Sequence, residues 1–181
     1  ALVIGVVCVL RPEKGLPTLL RAFAEVRKTD PRVKLAIVGS GPMRDTLEAE
    51  ARTLGIREDC VFEPATKDVA AWMRAIDIFV LPSLSEALSN SLMEAMACGC
   101  CVVASDVGGN PELVRNEETG LLFEPRDSAG LSTVLRTLVE NEPLRRKLAW
   151  AGARMIREDF SIRSSADRMS EIYTKLIETE K

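Results

Sequence analysis

The chain contains no histidine. That absence removes the Ser-His-Asp triad, the Cys-His pair and the commonest protein metal ligand, so any chemistry has to come from carboxylates, amines, hydroxyls or backbone groups. Cysteine is present without a pairing pattern. Cys8, Cys60, Cys98, Cys100 and Cys101 are odd in number and show no paired spacing, which argues against a disulfide framework and for a reducing cytosol. A cytoplasmic location is expected. The cluster "CGCC" has no second cluster and no histidine to complete a ligand set, so it reads as small buried strand residues, and no metal site is expected. A dense Lys/Arg run is also missing and the net charge is only −3, which excludes the electrostatic footprint of a nucleic-acid partner. The opening "ALVIGVVCVL" is too short to span a membrane and lacks a basic flank. It is a buried strand, and no transmembrane segment is expected, which leaves peripheral membrane contact open.

What is there is a chain of 181 residues, 46% of them apolar, enough to fill the core of one domain with a terminal extension. "LVIGVVC", "VKLAIVG", "CVFE", "IDIFVLPS" and "CVVASD" are short apolar runs that alternate with segments of helical spacing, such as Leu16, Leu19, Leu20, Phe23 and Val26. Strands apolar on both faces and alternating with helices predict a doubly wound parallel α/β sheet of the Rossmann-like kind. Ligands in such sheets sit beyond the carboxyl ends of the strands. The loops at those ends are "RPEKG", "GSGP", "EPATKD", "PSLSEALSN" and "SDVGGNPE". After "TGLLFEP" the pattern is wholly helical, with Leu144, Leu148, Ala151 and Met155 on one stripe and Met169, Ile172, Tyr173 and Leu176 on a second. A body over residues 1–160 and an appended amphipathic helix over 161–181 are expected.

The loops carry the candidate chemistry. "GSGP" starts like a dinucleotide fingerprint but has Arg44 where the third glycine belongs, so Gly39 and Gly41 mark a tight strand-to-helix turn, with or without a ligand beside it. Lys14 in "RPEKG" can reach over the sheet edge toward an anion, with Arg11 as its assistant, or it can belong to an ordinary charged loop. In "SEALSNSLMEAM" the polar Ser89, Asn90 and Ser91 precede an apolar run, which predicts a helix start whose free N–H groups form an anion site. Glu86 falls before that helix and Glu94 about one turn inside it. Ser91 and Glu94 also fit a capping box. Against that, the apolar helix leaves Glu94 few solvated directions, and two carboxylates at one crevice suit the paired hydroxyls of a sugar or ribose. The outline is a nucleotide-sugar pocket.

"RPEKG", "VGSGP", "PSLSEALSNSLMEAMACGCCVVASDVGGNPELV" and "TGLLFEP", in that order, make the chain resemble the C-terminal, donor-binding half of a family-4 retaining glycosyltransferase of the GT-B fold (glycosyl transferases group 1). The specific part is the pair of glutamates eight residues apart followed by "AMACG". The resemblance implies that Glu94 binds the donor ribose, Glu86 the transferred sugar, and Lys14 the diphosphate. It implies further that the amides around Ser89, Asn90 and Ser91 complete the phosphate pocket, and that Glu63 and Pro64 lie by the nucleobase. Glu86 and Lys14 are then the catalytic candidates, with a nucleoside-diphosphate sugar as donor substrate and no cofactor. Front-face attack without a covalent enzyme intermediate is the mechanism the family implies. The acceptor site belongs to an N-terminal GT-B domain that the chain does not include, so the isolated chain is expected to be inactive. Members commonly place an arginine where Val9 stands and a Phe-Gly-like pair at Leu88-Ser89. A lone lysine lacks the bidentate fork of a guanidinium. A non-catalytic sugar-nucleotide binding or scaffold module is therefore the alternative function, with a GT-B sugar-nucleotide epimerase as a third.

Overall fold

The structure, a computed structural model, describes residues 1–179. The opening apolar run forms β1 (Leu2–Val7), which pairs in parallel with β2 (Val33–Val38) from Leu2 opposite Val33 to Val7 opposite Val38. β2 pairs in turn with β3 (Cys60–Glu63). On its other edge β1 meets β4 (Ile78–Leu81), followed outward by β5 (Cys101–Ser105) and β6 (Leu121–Phe123). The spatial order is β3-β2-β1-β4-β5-β6 and every pair is parallel, so the doubly wound sheet expected from the sequence is observed. The direction of winding reverses between β1 and β4. A crevice opens there at the carboxyl ends of the strands.

Strand periodicity explains why both faces are covered. In β4, Ile78 and Val80 point into one core and Phe79 and Leu81 into the other; in β5, Cys101 and Val103 oppose Val102 and Ala104 in the same way. The first core is closed by α1 (Leu16–Thr29), α2 (Arg44–Thr53) and α6 (Ser128–Glu140), the second by α3 (Val69–Ala75), α4 (Asn90–Ala97) and the end of α7 (Glu142–Asp159). α1 illustrates the local logic. Pro17 sits in its first turn, Leu16, Leu19, Leu20, Phe23 and Val26 are all buried, and Arg27 and Lys28 complement the dipole in its last turn.

Three details depart from the sequence reading. "TGLLFEP" contains an edge strand, β6, whose Leu121 and Leu122 are only half-buried. "SDVGGNPE" leads into a short helix, α5 (Asn110–Leu113). "CGCC" is not all strand: Cys98 caps α4, Gly99 turns the chain with φ +83, Cys100 is buried in the turn, and the strand begins at Cys101. The last helix, α8 (Ile162–Thr179), touches α7. Its stripe of Met169, Ile172, Tyr173 and Leu176 lies exposed. Positions 180 and 181 of the expected terminal helix lie outside the described residues. Among those residues, no helix is long and apolar enough to cross a membrane.

Candidate active site at the carboxyl edge of the sheet

A cavity of about 300 Å³ lies over the β1 and β2 carboxyl ends and is closed by the start of α4. Val7, Cys8 and Val9 form one wall, Gly39 and Ser40 a second, Ala65, Thr66 and Val69 a third, and Asn90, Ser91 and Glu94 the fourth. Ser89 is the N-cap of α4: its Oγ accepts from the Leu92 N–H at 3.4 Å. The N–H groups of Asn90 and Ser91 are left without a protein acceptor among the described residues, so the positive end of the helix faces the cavity with donors to spare.

The position of Ser89 decides the role open to Glu94. A capping box would need the N-cap at Ser91, but the helix starts two residues earlier and Ser91 Oγ lies 3.1 Å from Ser89 Oγ instead. The capping-box alternative is therefore contradicted. Glu94 is exposed, and its carboxylate makes no hydrogen bond or ion pair among the described residues. The expectation that its apolar helix leaves it few solvated directions is also overturned, because Leu92, Ala95 and Met96 take the buried face and leave Glu94 on the cavity rim.

Beside the β1 wall stands a more constrained group. Lys14 Nζ donates to Glu86 Oε1 at 2.5 Å, and Ser83 Oγ donates to the same oxygen at 2.6 Å. The carboxylate is 9% exposed. Two charge-assisted bonds of this length hold it in one orientation and leave Oε2 as the acceptor for a further donor. Lys14 ends a 3₁₀ turn, Pro12–Lys14, and the Leu84 N–H donates to the Glu13 carbonyl at 2.7 Å, which ties that turn to the loop bearing Glu86. Cys8, which lines the cavity, interacts electrostatically with both Lys14 and Glu86. Burial pushes its thiol up to about 12, with Lys14 pulling the other way and Glu86 adding to the rise. At neutral pH it is a protonated, weakly polar wall, not a nucleophile.

The structure thus brings Glu94, Asn90, Ser91 and Gly39 to one cavity and sets Lys14 and Glu86 beside it. Other predicted residues stand apart from its walls. Arg11 is exposed and lies 3.9 Å from Glu13. Gly41 serves a close approach between loops, since a Cβ on it would collide with the Leu10 main chain, as one on Gly39 would with the Cys8 carbonyl. Glu63 accepts from the Gly39 N–H through its carbonyl at 2.9 Å, and Pro64 is exposed outside the cavity wall. The next two residues, Ala65 and Thr66, reach it instead. Ser40 Oγ accepts from the Ala65 N–H at 3.0 Å and fixes that segment.

Sequence reasoning missed the support beneath Glu86. Ser105 Oγ donates to the Ser83 carbonyl at 2.6 Å, and Asn110 Nδ2 donates to the Ser105 carbonyl at 3.0 Å. All three side chains are fully buried. Gly108, at φ +52, lies so near that a Cβ would collide with the Glu86 carbonyl. The adjacent glycines in "SDVGGNPE" were the available signal. Among the described residues no three Cys, Asp or Glu side chains gather closely enough to hold a metal ion.

The fold is a doubly wound α/β domain with a crevice where the strand order reverses, and the likeness to known proteins narrows the class. The C-terminal domain of a glycosyl transferase group 1 protein from Francisella tularensis superposes with a TM-score of 0.81 at 28% identity, covering 89% of this chain and 87% of that one. An Anabaena protein solved in complex with UDP superposes with a TM-score of 0.88 at 26% identity, over 96% of this chain and 48% of its own. The fold is the C-terminal half of the GT-B type. The family model "Glycosyl transferases group 1" matches residues 1–155, and the chain belongs to that family. Among curated relatives, a D-inositol 3-phosphate glycosyltransferase of Thermomonospora curvata is 36% identical over 91% of this chain and 41% of its own length. A GDP-mannose-dependent alpha-(1-6)-phosphatidylinositol monomannoside mannosyltransferase of Mycolicibacterium smegmatis is 33% identical over 92% and 47%. The chain spans less than half the length of these two relatives.

Proposed function

We propose that this chain is the donor-binding domain of a retaining glycosyltransferase that moves a sugar from a nucleoside-diphosphate sugar to an acceptor held by a separate N-terminal domain. One observation carries the reading: a single crevice edge gathers a cation (Lys14), unpaired helix N–H groups (Asn90, Ser91) and two carboxylates in different settings (Glu86, Glu94). Anion donors flanked by hydroxyl acceptors are the complement of a sugar diphosphate. Glu94 takes the ribose hydroxyls, Ala65 and Thr66 border the base with Glu63 and Pro64 behind them, and Glu86 Oε2 takes a hydroxyl of the transferred sugar. Lys14 and the α4 amides stabilise the negative charge that grows on the leaving diphosphate. No metal is assigned to this step.

The body over 1–160 holds the donor, and α8, within 161–181, carries an exposed apolar stripe suited to packing on the N-terminal domain. By this reading the isolated chain binds nucleotides weakly and transfers no sugar, and the whole enzyme works in the cytoplasm. Relatives and neighbours whose names specify GDP-mannose or UDP support a nucleoside-diphosphate donor in general. One observation favours the non-catalytic binding module instead. Val9, half-exposed on the cavity wall, offers no guanidinium, and Arg11 lies away from the cavity. The two readings separate in the full-length enzyme, by turnover.

A thermal-shift and calorimetric panel of UDP, GDP and ADP with their sugar conjugates, with and without EDTA, tests the donor reading. One nucleotide series is expected to raise the melting temperature at saturating concentration, and chelator is expected to leave binding unchanged. No shift with any series would overturn the donor site; loss of binding in EDTA would require a metal ligand set.

A further inference from the structure

We infer that Ser83 is a positioning residue for Glu86, held in turn by Ser105 and Asn110, and that this buried chain of hydrogen bonds lets the site distinguish an intact sugar donor from a free nucleoside diphosphate. The inference rests on the donor-site reading above. Lys14 and Ser83 both donate to the same oxygen, Glu86 Oε1. A diphosphate that draws the Lys14 ammonium toward itself takes away the carboxylate's cation and leaves Ser83 as its remaining protein donor. A sugar hydroxyl donating to Oε2 replaces the lost bond, whereas a free diphosphate offers none. The intact donor is favoured only while Glu86 stays where it is.

What keeps it there is the rigidity of Ser83. Its carbonyl accepts from Ser105 Oγ at 2.6 Å, and the Ser105 carbonyl accepts from Asn110 Nδ2 at 3.0 Å. Ser83 follows the end of β4, Ser105 ends β5 and Asn110 begins α5, and all three are 0% exposed. Deleting the Ser83 hydroxyl frees the carboxylate to follow Lys14. The diphosphate meets the same Lys14–Glu86 pair as before, but the sugar finds no fixed acceptor.

Calorimetry on the 181-residue chain with UDP against UDP-glucose, and GDP against GDP-mannose, tests this. Ser83→Ala is expected to weaken the intact donor about tenfold and to leave the free diphosphate within about twofold. In a Glu86→Gln background Ser83→Ala is expected to add no further loss, because it acts through Glu86. A structural role would weaken both ligands alike and lower the melting temperature in proportion. Should Ser83→Ala fail to fold, Ser105→Ala carries the same test with the same expected sign. Unchanged donor affinity, equal loss for both ligands, or additivity with Glu86→Gln each overturns the inference while the donor site stands. A wild-type chain that binds neither pair overturns the donor site and the inference together.

Discussion

Glu86 and Glu94 stand eight residues apart in one stretch of sequence and occupy opposite kinds of surroundings. Glu86 is nearly buried, bonded by Lys14 and Ser83, and backed by a hydrogen-bonded chain that reaches α5. Glu94 is exposed on the cavity rim, its carboxylate without a partner among the described residues. The difference teaches that the site is organised unevenly. At the end assigned to bond-breaking, Glu86 is held in one orientation by its own protein donors, Lys14 and Ser83. At the end assigned to the nucleoside, the carboxylate of Glu94 has no such protein donor among the described residues.

The largest effect is expected where the organised end is clasped. Gly108→Ala puts a Cβ against the Glu86 carbonyl at a φ of +52. Strain and collision together should cost about 2 kcal/mol or more and blur discrimination between donor and diphosphate. Urea denaturation with parallel calorimetry checks both, and a variant as stable as the wild type would show that the loop is not clasped. The next effect is expected from Lys14→Ala, which removes the cation assigned to the diphosphate and leaves Glu86 without its ion pair. Diphosphate affinity should fall about tenfold or more, with a loss of stability from the unpaired carboxylate. Unchanged UDP and GDP binding would move the diphosphate away from Lys14 and merge the two ends of the comparison.

This unevenness also marks what could be read in the sequence. The sheet was legible because β1, β2, β4 and β5 are almost wholly apolar runs, a pattern that a two-sided core accommodates. β6 was not, because three residues of a half-buried edge strand carry too short a pattern to separate from a turn. Lys14, Glu86 and Glu94 were legible as candidates, since residue type and loop position are local properties. Ser83, Ser105, Gly108 and Asn110 were not, because their roles arise only when the ends of β4 and β5 lie side by side. The setting of Glu94 was misjudged for a related reason. An apolar helix still has a polar side, and which residues take it depends on the sheet beneath.

The central claim, that two neighbouring glutamates divide the donor between them, is tested most directly by one matrix: Glu86→Gln and Glu94→Gln, each titrated with a free nucleoside diphosphate and with its sugar conjugate. Glu94→Gln is predicted to weaken both ligands, by about tenfold or more, through loss of a charge-assisted bond to the ribose. Glu86→Gln is predicted to weaken the sugar conjugate alone and to leave the free diphosphate bound at least as tightly as before, because Lys14 is released from its ion pair. Equal losses of both ligands in Glu86→Gln, or no loss in Glu94→Gln, would contradict the division.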